Sequence, residues 1–168
     1  MFTSWLGCFW KILLVVVDMR DVCIWIISFL LQASLSLYTD QATALMIFAD
    51  SLIENGQMDY VKEYLWTNDN NKYQGGAIKR DLDYIISGFS SSTCDLWEEI
   101  RSSNLFWNRL TMKKAMGMGA DFASLMGDTN SANTYLSTEQ KINSTLYNDH
   151  WTGSYVIEDT SRTKVCYP

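Results

Sequence analysis

The chain has 168 residues, of which 48% are apolar and 14% aromatic, and its formal net charge is −6. This length allows one domain with a sizeable core, and the composition excludes an intrinsically disordered chain. The negative charge argues against nucleic acid and anionic membrane surfaces as partners, because both are bound through clustered Lys and Arg.

The cysteine and histidine residues are too irregularly spaced for a zinc centre. The cysteines are Cys8, Cys23, Cys94 and Cys166, no two of which form a CxxC pair, and His150 is the only histidine. A structural zinc site needs four such ligands, usually at short spacings. We therefore expect no metal and no cofactor, and we expect His150 to be a surface or loop residue. A disulfide framework stays open.

The first 37 residues are more apolar than the rest, so we divide the chain into residues 1–37 and 38–168. Two apolar runs are separated by three charged residues (Ile12–Val17 and Val22–Leu31; Asp18, Arg20 and Asp21). Each run is shorter than the roughly 20 apolar residues of a spanning helix, and joining them would bury the charges. Three interpretations stay open: a signal or membrane anchor through residues 5–31, a buried helical pair, or a segment that does not fold with the rest.

From residue 38 onward, apolar residues recur at helical spacing. The first stripe predicts a helix over residues 39–57, with apolar residues at Ala42, Leu45, Met46, Ala49, Leu52 and Ile53. Thr39 or Asp40 is a suitable N-cap for this helix, and Gly56 is a suitable C′ residue. A shorter helix is predicted over roughly residues 58–66, and a loop rich in Asn, Asp and Gly follows it.

Three further helices are predicted over residues 77–89, 103–128 and 129–151, the last capped by Thr129 or Asn130. The apolar stripe of the first is Leu82, Ile85, Ile86 and Phe89, and in the second Leu105, Arg109 and Met112 lie roughly on one side. The expected buried residues of the third are Tyr135, Ile142 and Leu146. Gly117 and Gly119 each weaken the second of these helices by up to about 1 kcal/mol. No segment after residue 38 alternates as a strand does. The pattern therefore predicts an all-α protein with at least five helices.

An acidic motif lies on the loop between the third and fourth predicted helices. In "STCDLWEEI", Asp95, Glu98 and Glu99 surround the indole of Trp97. A carboxyl group beside a large apolar ring, with other carboxylates nearby, has a raised pKa, as a general acid near neutral pH needs. The alternative is that these acidic side chains only favour the N-terminus of the next helix electrostatically.

The motif resembles the "DLWEE" signature of glycoside hydrolase family 15, the family of the fungal glucoamylases. Four more stretches resemble successive segments of that family in the same order: "ATALMIFADSLIENG", "IKRDLDYIISGFSSST", "GADFASLMGDTNSANTYLST" and "WTGSYVIED". The similarity runs from about residue 41 to about residue 159. It implies an incomplete part of an (α/α)6 toroid. It also implies hydrolysis of terminal 1,4-linked α-D-glucose from starch, glycogen or maltooligosaccharides with inversion, without a cofactor, in a secreted or vacuolar protein.

The resemblance also implies roles for the motif residues. Glu98 takes the position of the general acid, and Glu99 that of a substrate contact. Asp95 supports the acid, while Leu96 and Trp97 line the sugar site. We therefore expect Glu98 to be catalytic and the substrate-binding residues to be Asp95, Leu96, Trp97 and Glu99.

Two parts of the family site find no clear match. The family's catalytic base is a glutamate far downstream of the motif, and no residue of this sequence corresponds to it. The sugar-clamping Arg-Asp pair follows a tryptophan in the family, whereas Arg20-Asp21 here does not. We therefore expect the 168 residues to have little or no activity alone. The alternative is a non-enzymatic helical protein associated with a membrane through residues 5–31.

One sequon, Asn143-Ser144-Thr145, lies in the last predicted helix. It would be an acceptor for N-linked glycan if the chain is secreted.

Overall fold

The computed structural model describes residues 35–67, 76–95 and 101–160, which all belong to the compact unit Ala33–Pro168. The apolar runs of residues 12–31 and the Arg20-Asp21 pair lie outside these residues. The described part contains five helices and one minute hairpin: α1 (Leu35–Glu54), α2 (Met58–Tyr60, continuing as a π-helical stretch Val61–Thr67), α3 (Ala77–Gly88), β1 (Thr93–Cys94), β2 (Arg101–Ser102), α4 (Phe106–Met126) and α5 (Thr129–His150). The all-α prediction is confirmed, and the helices are consistent with part of a toroid of helix pairs.

The N-terminal boundary of α1 differs from the prediction. Thr39 and Asp40 lie inside the helix, which already includes Leu35. The residues before Thr39 contain no helix breaker, and the Thr39 hydroxyl donates a hydrogen bond to Thr111 Oγ1 in α4 at 3.3 Å. The buried threonine therefore joins two helices and caps neither of them.

The C-terminal boundary of α1 matches the prediction. Gly56 has φ +79°, its N–H donates to the carbonyl of Ile53, and the N–H of Gln57 donates to Leu52. These two hydrogen bonds form a Schellman motif, in which the C′ residue takes the left-handed conformation that glycine adopts without strain.

The corner between α4 and α5 uses the same device and then an unexpected cap. Gly127 ends α4 with φ +85°, and Asp128 caps α5 by accepting a hydrogen bond from the Ser131 N–H at 3.0 Å. The prediction of Thr129 or Asn130 was therefore wrong by one or two residues. Burial alone would raise the pKa of Asp128, but hydrogen bonds from Lys79 and Ser131 lower it to about 2. The charged carboxylate suits the positive end of the helix.

The core lies where α1, α3, α4 and α5 face one another, with α4 and α5 in the most extensive contact. The predicted stripes form it: Ala42, Met46, Ala49, Leu82, Ile85, Met112, Tyr135, Ile142 and Leu146 are buried. Tyr135 is fully buried, and its hydroxyl donates to Asp83 Oδ1 at 2.8 Å, so the ring adds apolar area without leaving a polar atom unpaired.

Gly119 allows α4 to approach α3 closely. A Cβ atom at this position would lie 2.8 Å from Leu82 Cδ1, and Leu82 is fully buried. At Gly117, by contrast, the nearest atom to such a Cβ would be Glu139 Cγ at 3.8 Å. The two glycines that weaken α4 therefore differ, because only Gly119 is required by packing.

Candidate active-site loop

The predicted motif is carried by a loop whose two ends are hydrogen-bonded to each other. β1 and β2 pair antiparallel, with Thr93 opposite Ser102 and Cys94 opposite Arg101. Directly opposed residues in such a pair have Cα atoms about 5 Å apart, so Cys94 and Arg101 are neighbours in space. The sequence did not predict these strands, because two residues are too few for an alternating pattern.

Of the five predicted site residues, the structure describes only Asp95. It follows β1 directly and is half-buried. Glu98, Leu96, Trp97 and Glu99 lie outside the described residues, so their roles stay predictions.

Asn108 of α4 holds the first end of the loop. Its side chain is 1% exposed, and its amide nitrogen donates to Thr93 Oγ1 at 2.7 Å and to the Cys94 carbonyl at 2.6 Å. A buried amide hydrogen-bonded to two consecutive residues fixes both the position and the direction of β1. This role was not predictable from the sequence, since helical spacing does not distinguish an asparagine that faces the loop from one that faces solvent.

Asp159 and Asn104 hold the second end. Ser102 Oγ donates to Asp159 Oδ1 at 3.0 Å and accepts from the Asn104 N–H at 3.1 Å. The Asn104 side chain then donates to Asp149 Oδ2 and Thr160 Oγ1, both at 3.0 Å. Strand β2 is thereby tied to the end of α5 and to the segment that follows it.

His150 completes this network from the C-terminus of α5. It is fully buried, its Nδ1 lies 2.6 Å from the Ile157 carbonyl oxygen, and its Nε2 lies 3.1 Å from Asn104 Oδ1. Both oxygens only accept hydrogen bonds, so a neutral imidazole, which carries one N–H, donates to only one of them at a time. The expectation of a surface or loop histidine was wrong, because the turn between Trp151 and Val156 brings the chain back over the ring.

Arg109 holds the connection between β2 and α4. Its Nη2 donates to the Ser103 carbonyl at 2.7 Å, and its guanidinium lies 5.6 Å from the centre of the Phe89 ring. Burial lowers the pKa of Arg109, an effect that the charge of Asp149 partly opposes. Leu105, Arg109 and Met112, which the spacing put roughly on one side of this helix, are all buried. The loop is therefore anchored by α4, by α5 and by the segment after α5.

A buried carboxyl group outside the predicted motif lies on α3. Asp81 is 1% exposed, and burial raises its pKa to about 6, while the charge of Arg80 acts in the opposite direction. The burial of Asp81 was not predicted, although it lies in an apolar stripe, because the same helix also carries Asp83, which is more exposed.

The described residues include no group of three or more His, Cys, Asp or Glu side chains placed to hold a metal ion. Among the same residues, no helix is long and apolar enough to cross a membrane. Residues 5–31, on which the alternative of membrane association depends, lie outside the described part.

Comparison with known proteins places the sequence in a family. The model of the glycosyl hydrolases family 15 matches residues 37–165. The glucoamylase of Blastobotrys adeninivorans is 40% identical over 108 residues, which cover 63% of this chain and 17% of that protein. Glucoamylase 1 of Rhizopus oryzae is 35% identical over 107 residues, covering 61% and 16%.

A solved structure, "Glucoamylase from Saccharomycopsis fibuligera at atomic resolution", is 31% identical with a TM-score of 0.48, covering 51% of this chain and 18% of that one. The chain thus matches less than a fifth of the length of these relatives. Because the family model matches well over half of the chain and includes the Asp95–Glu99 motif, the chain belongs to family 15 of the glycosyl hydrolases.

Proposed function

We propose that residues 95–99 form the general-acid half of a glucan 1,4-α-glucosidase site that acts on the non-reducing ends of starch-type α-glucans. The observation that carries the proposal is the family match over residues 37–165, which includes the motif. The anchored hairpin supports it, since a catalytic carboxyl group must be held within about 0.5 Å of its productive position by its surroundings.

The chemistry assigns Glu98 the decisive step. A glycosidic oxygen leaves only when it is protonated, so the acid must keep its proton near the working pH and deliver it in the transition state. In this proposal the Trp97 ring and the carboxylates of Asp95 and Glu99 keep Glu98 protonated, while Leu96, Trp97, Asp95 and Glu99 contact the sugar. General acids of this kind contribute about 10²–10⁴-fold to the rate.

Inversion requires a second carboxylate roughly 6.5–9.5 Å from the acid, with a water molecule between it and the sugar. No residue of the 168 corresponds to the family's base. We therefore propose that this sequence by itself releases little or no glucose and that the general-acid half works only together with a base-bearing region of family type.

We further propose that residues 38–168 form the catalytic-type unit, that residues 1–37 form a separate apolar segment, and that the protein is secreted or vacuolar. The site needs no cofactor, because acid and base carboxyl groups suffice for glycoside hydrolysis.

A chimera tests the proposal. Residues 41–159 replace the matching segment of the Blastobotrys adeninivorans glucoamylase, whose remaining part supplies the base. We expect glucose release from maltoheptaose, and a loss of about 10²–10⁴-fold with Glu98→Gln. The matched control is Glu54→Gln at the exposed end of α1, which should leave the rate unchanged. A folded chimera whose rate is insensitive to Glu98→Gln would contradict the assignment.

A further inference from the structure

The outer face of α5 combines a glycosylation sequon with exposed apolar side chains. Asn143-Ser144-Thr145 is the only Asn-x-Ser/Thr sequence in the chain, and Asn143 is exposed. Leu136 is 47% exposed and Tyr147 69%. These two apolar side chains are among the large exposed ones of the described residues, and they lie on the same helix as the sequon.

Helical geometry places the three side chains in one stripe. Leu136 precedes Asn143 by seven residues and Tyr147 follows it by four, which at 3.6 residues per turn puts all three within a narrow angular range. The face with Tyr135, Ile142 and Leu146 lies roughly 60–100° from Asn143 around the helix and is buried in the core. Asn143 therefore lies beside the buried face, at an exposed position with an exposed apolar residue on either side along the helix.

The folded chain can carry a sugar at this position. The side-chain amide of Asn143 is exposed and makes no hydrogen bond within the described residues, so a sugar attached to Nδ2 breaks no contact there. The hydroxyl groups of the next two residues bond only to carbonyls of the same helix, Ser144 to Lys141 and Thr145 to Ile142, both at 2.7 Å. A bulky, hydrophilic glycan is tolerated where the acceptor faces solvent.

We propose that Asn143 carries an N-linked glycan and that this glycan covers Leu136 and Tyr147 on the outer face of α5. The proposal depends on the secreted or vacuolar location proposed above but not on hydrolytic activity. The glycan then contacts Leu136 and Tyr147 in place of bulk water or of a second protein surface.

The site is tested with the full chain, directed by an added secretion signal into a yeast secretory pathway. We expect an electrophoretic mobility shift that endoglycosidase removes and a glycan mass on the peptide containing Asn143. Asn143→Gln and Thr145→Ala should abolish the shift. Thr145→Ser and Ser144→Ala should keep it, because both leave an intact sequon.

Translation of the same variants in the presence of microsomes reports glycosylation even if a variant does not fold well enough to be secreted. A chain that enters the secretory pathway or the microsomes without modification at Asn143 would overturn the site. Glu98→Gln should be glycosylated like the unchanged chain, so failure of the catalytic proposal and failure of this one give different results.

The covering role is tested on purified glycosylated chain before and after endoglycosidase treatment. We expect removal of the glycan to increase binding of a dye for exposed apolar surface. The same treatment should produce a smaller increase in a Leu136→Ser/Tyr147→Ser double variant. An unchanged dye signal, or an equal increase in the double variant, would overturn the covering role.

Discussion

Asp81 makes the stability of this protein dependent on pH in a defined direction. Its pKa is raised from 3.8 to about 6 because the carboxyl group is buried, and its Oδ2 has no hydrogen-bond partner among the described residues. Between pH 3.8 and about 6, the Asp81 carboxyl group therefore keeps its proton in the folded chain, whereas in the unfolded chain it has released the proton. The contribution of this proton to the free energy of unfolding is fully present below about pH 4, decreases as the pH rises, and is lost above about pH 6.

The size of the effect follows from the same values. The difference between the pKa values of 3.8 and about 6 corresponds to a change of about 3 kcal/mol in the free energy of unfolding. Asp81→Asn replaces the ionising group with a neutral one of the same shape. At pH 7 the variant should therefore be more stable than the unchanged chain by up to about 3 kcal/mol, and at pH 3.5 the two should be nearly equal.

Urea denaturation followed by circular dichroism at pH 3.5, 5 and 7 measures the difference. Burial also raises the pKa of Asp83, so the unchanged chain contains a second contribution of the same sign, and only the difference between the two proteins isolates Asp81. Asp121→Asn, at an exposed position of α4, is the matched control and should leave the pH dependence unchanged. Equal stability of Asp81→Asn and the unchanged chain at pH 7 would show that ionised Asp81 does not destabilise the folded chain.

Three further predictions concern the anchored loop and the helix contacts. Asn108→Ala removes two hydrogen bonds to β1, so it should lower the free energy of unfolding by about 1–3 kcal/mol in urea denaturation, whereas Asn133→Ala, at an exposed position of α5, should cost under about 1 kcal/mol. Gly117→Ala should raise the melting temperature, with a gain of up to about 1 kcal/mol, and Gly119→Ala should lower it, because only the second methyl group meets Leu82; melting shifts of the same sign would contradict the packing account. His150→Ala should increase hydrogen exchange at the Phe106 amide, which donates to Glu158 in the segment that His150 holds, while Asn148→Ala should not; equal exchange in both variants would show that the histidine does not hold this segment.

The helices were predictable because their buried residues recur at helical spacing. The stripe from Ala42 to Ile53 and the burial of Tyr135, Ile142 and Leu146 follow from this local pattern alone. Capping was less predictable, since Asp128, Thr129 and Asn130 are consecutive residues of capping type. Lys79, which pairs with Asp128, is distant in sequence.

The support of the loop was not predictable for a related reason. Asn108, His150 and Asp159 act on residues 93–104 through contacts that span up to 57 positions in the chain. No local periodicity encodes such contacts. The motif itself was recognised because its five residues are consecutive, and the family match confirms the lineage that they indicated.

The anomeric form of the glucose that the chimera releases is the best test of whether Glu98 is the general acid of an inverting hydrolysis. Proton nuclear magnetic resonance within the first minutes of maltoheptaose hydrolysis distinguishes newly released β-glucose from α-glucose before the two interconvert. We expect β-glucose as the first product of the chimera and no such release from the chimera with Glu98→Gln. Release of α-glucose, or continued release of β-glucose without the Glu98 carboxyl group, would contradict this assignment.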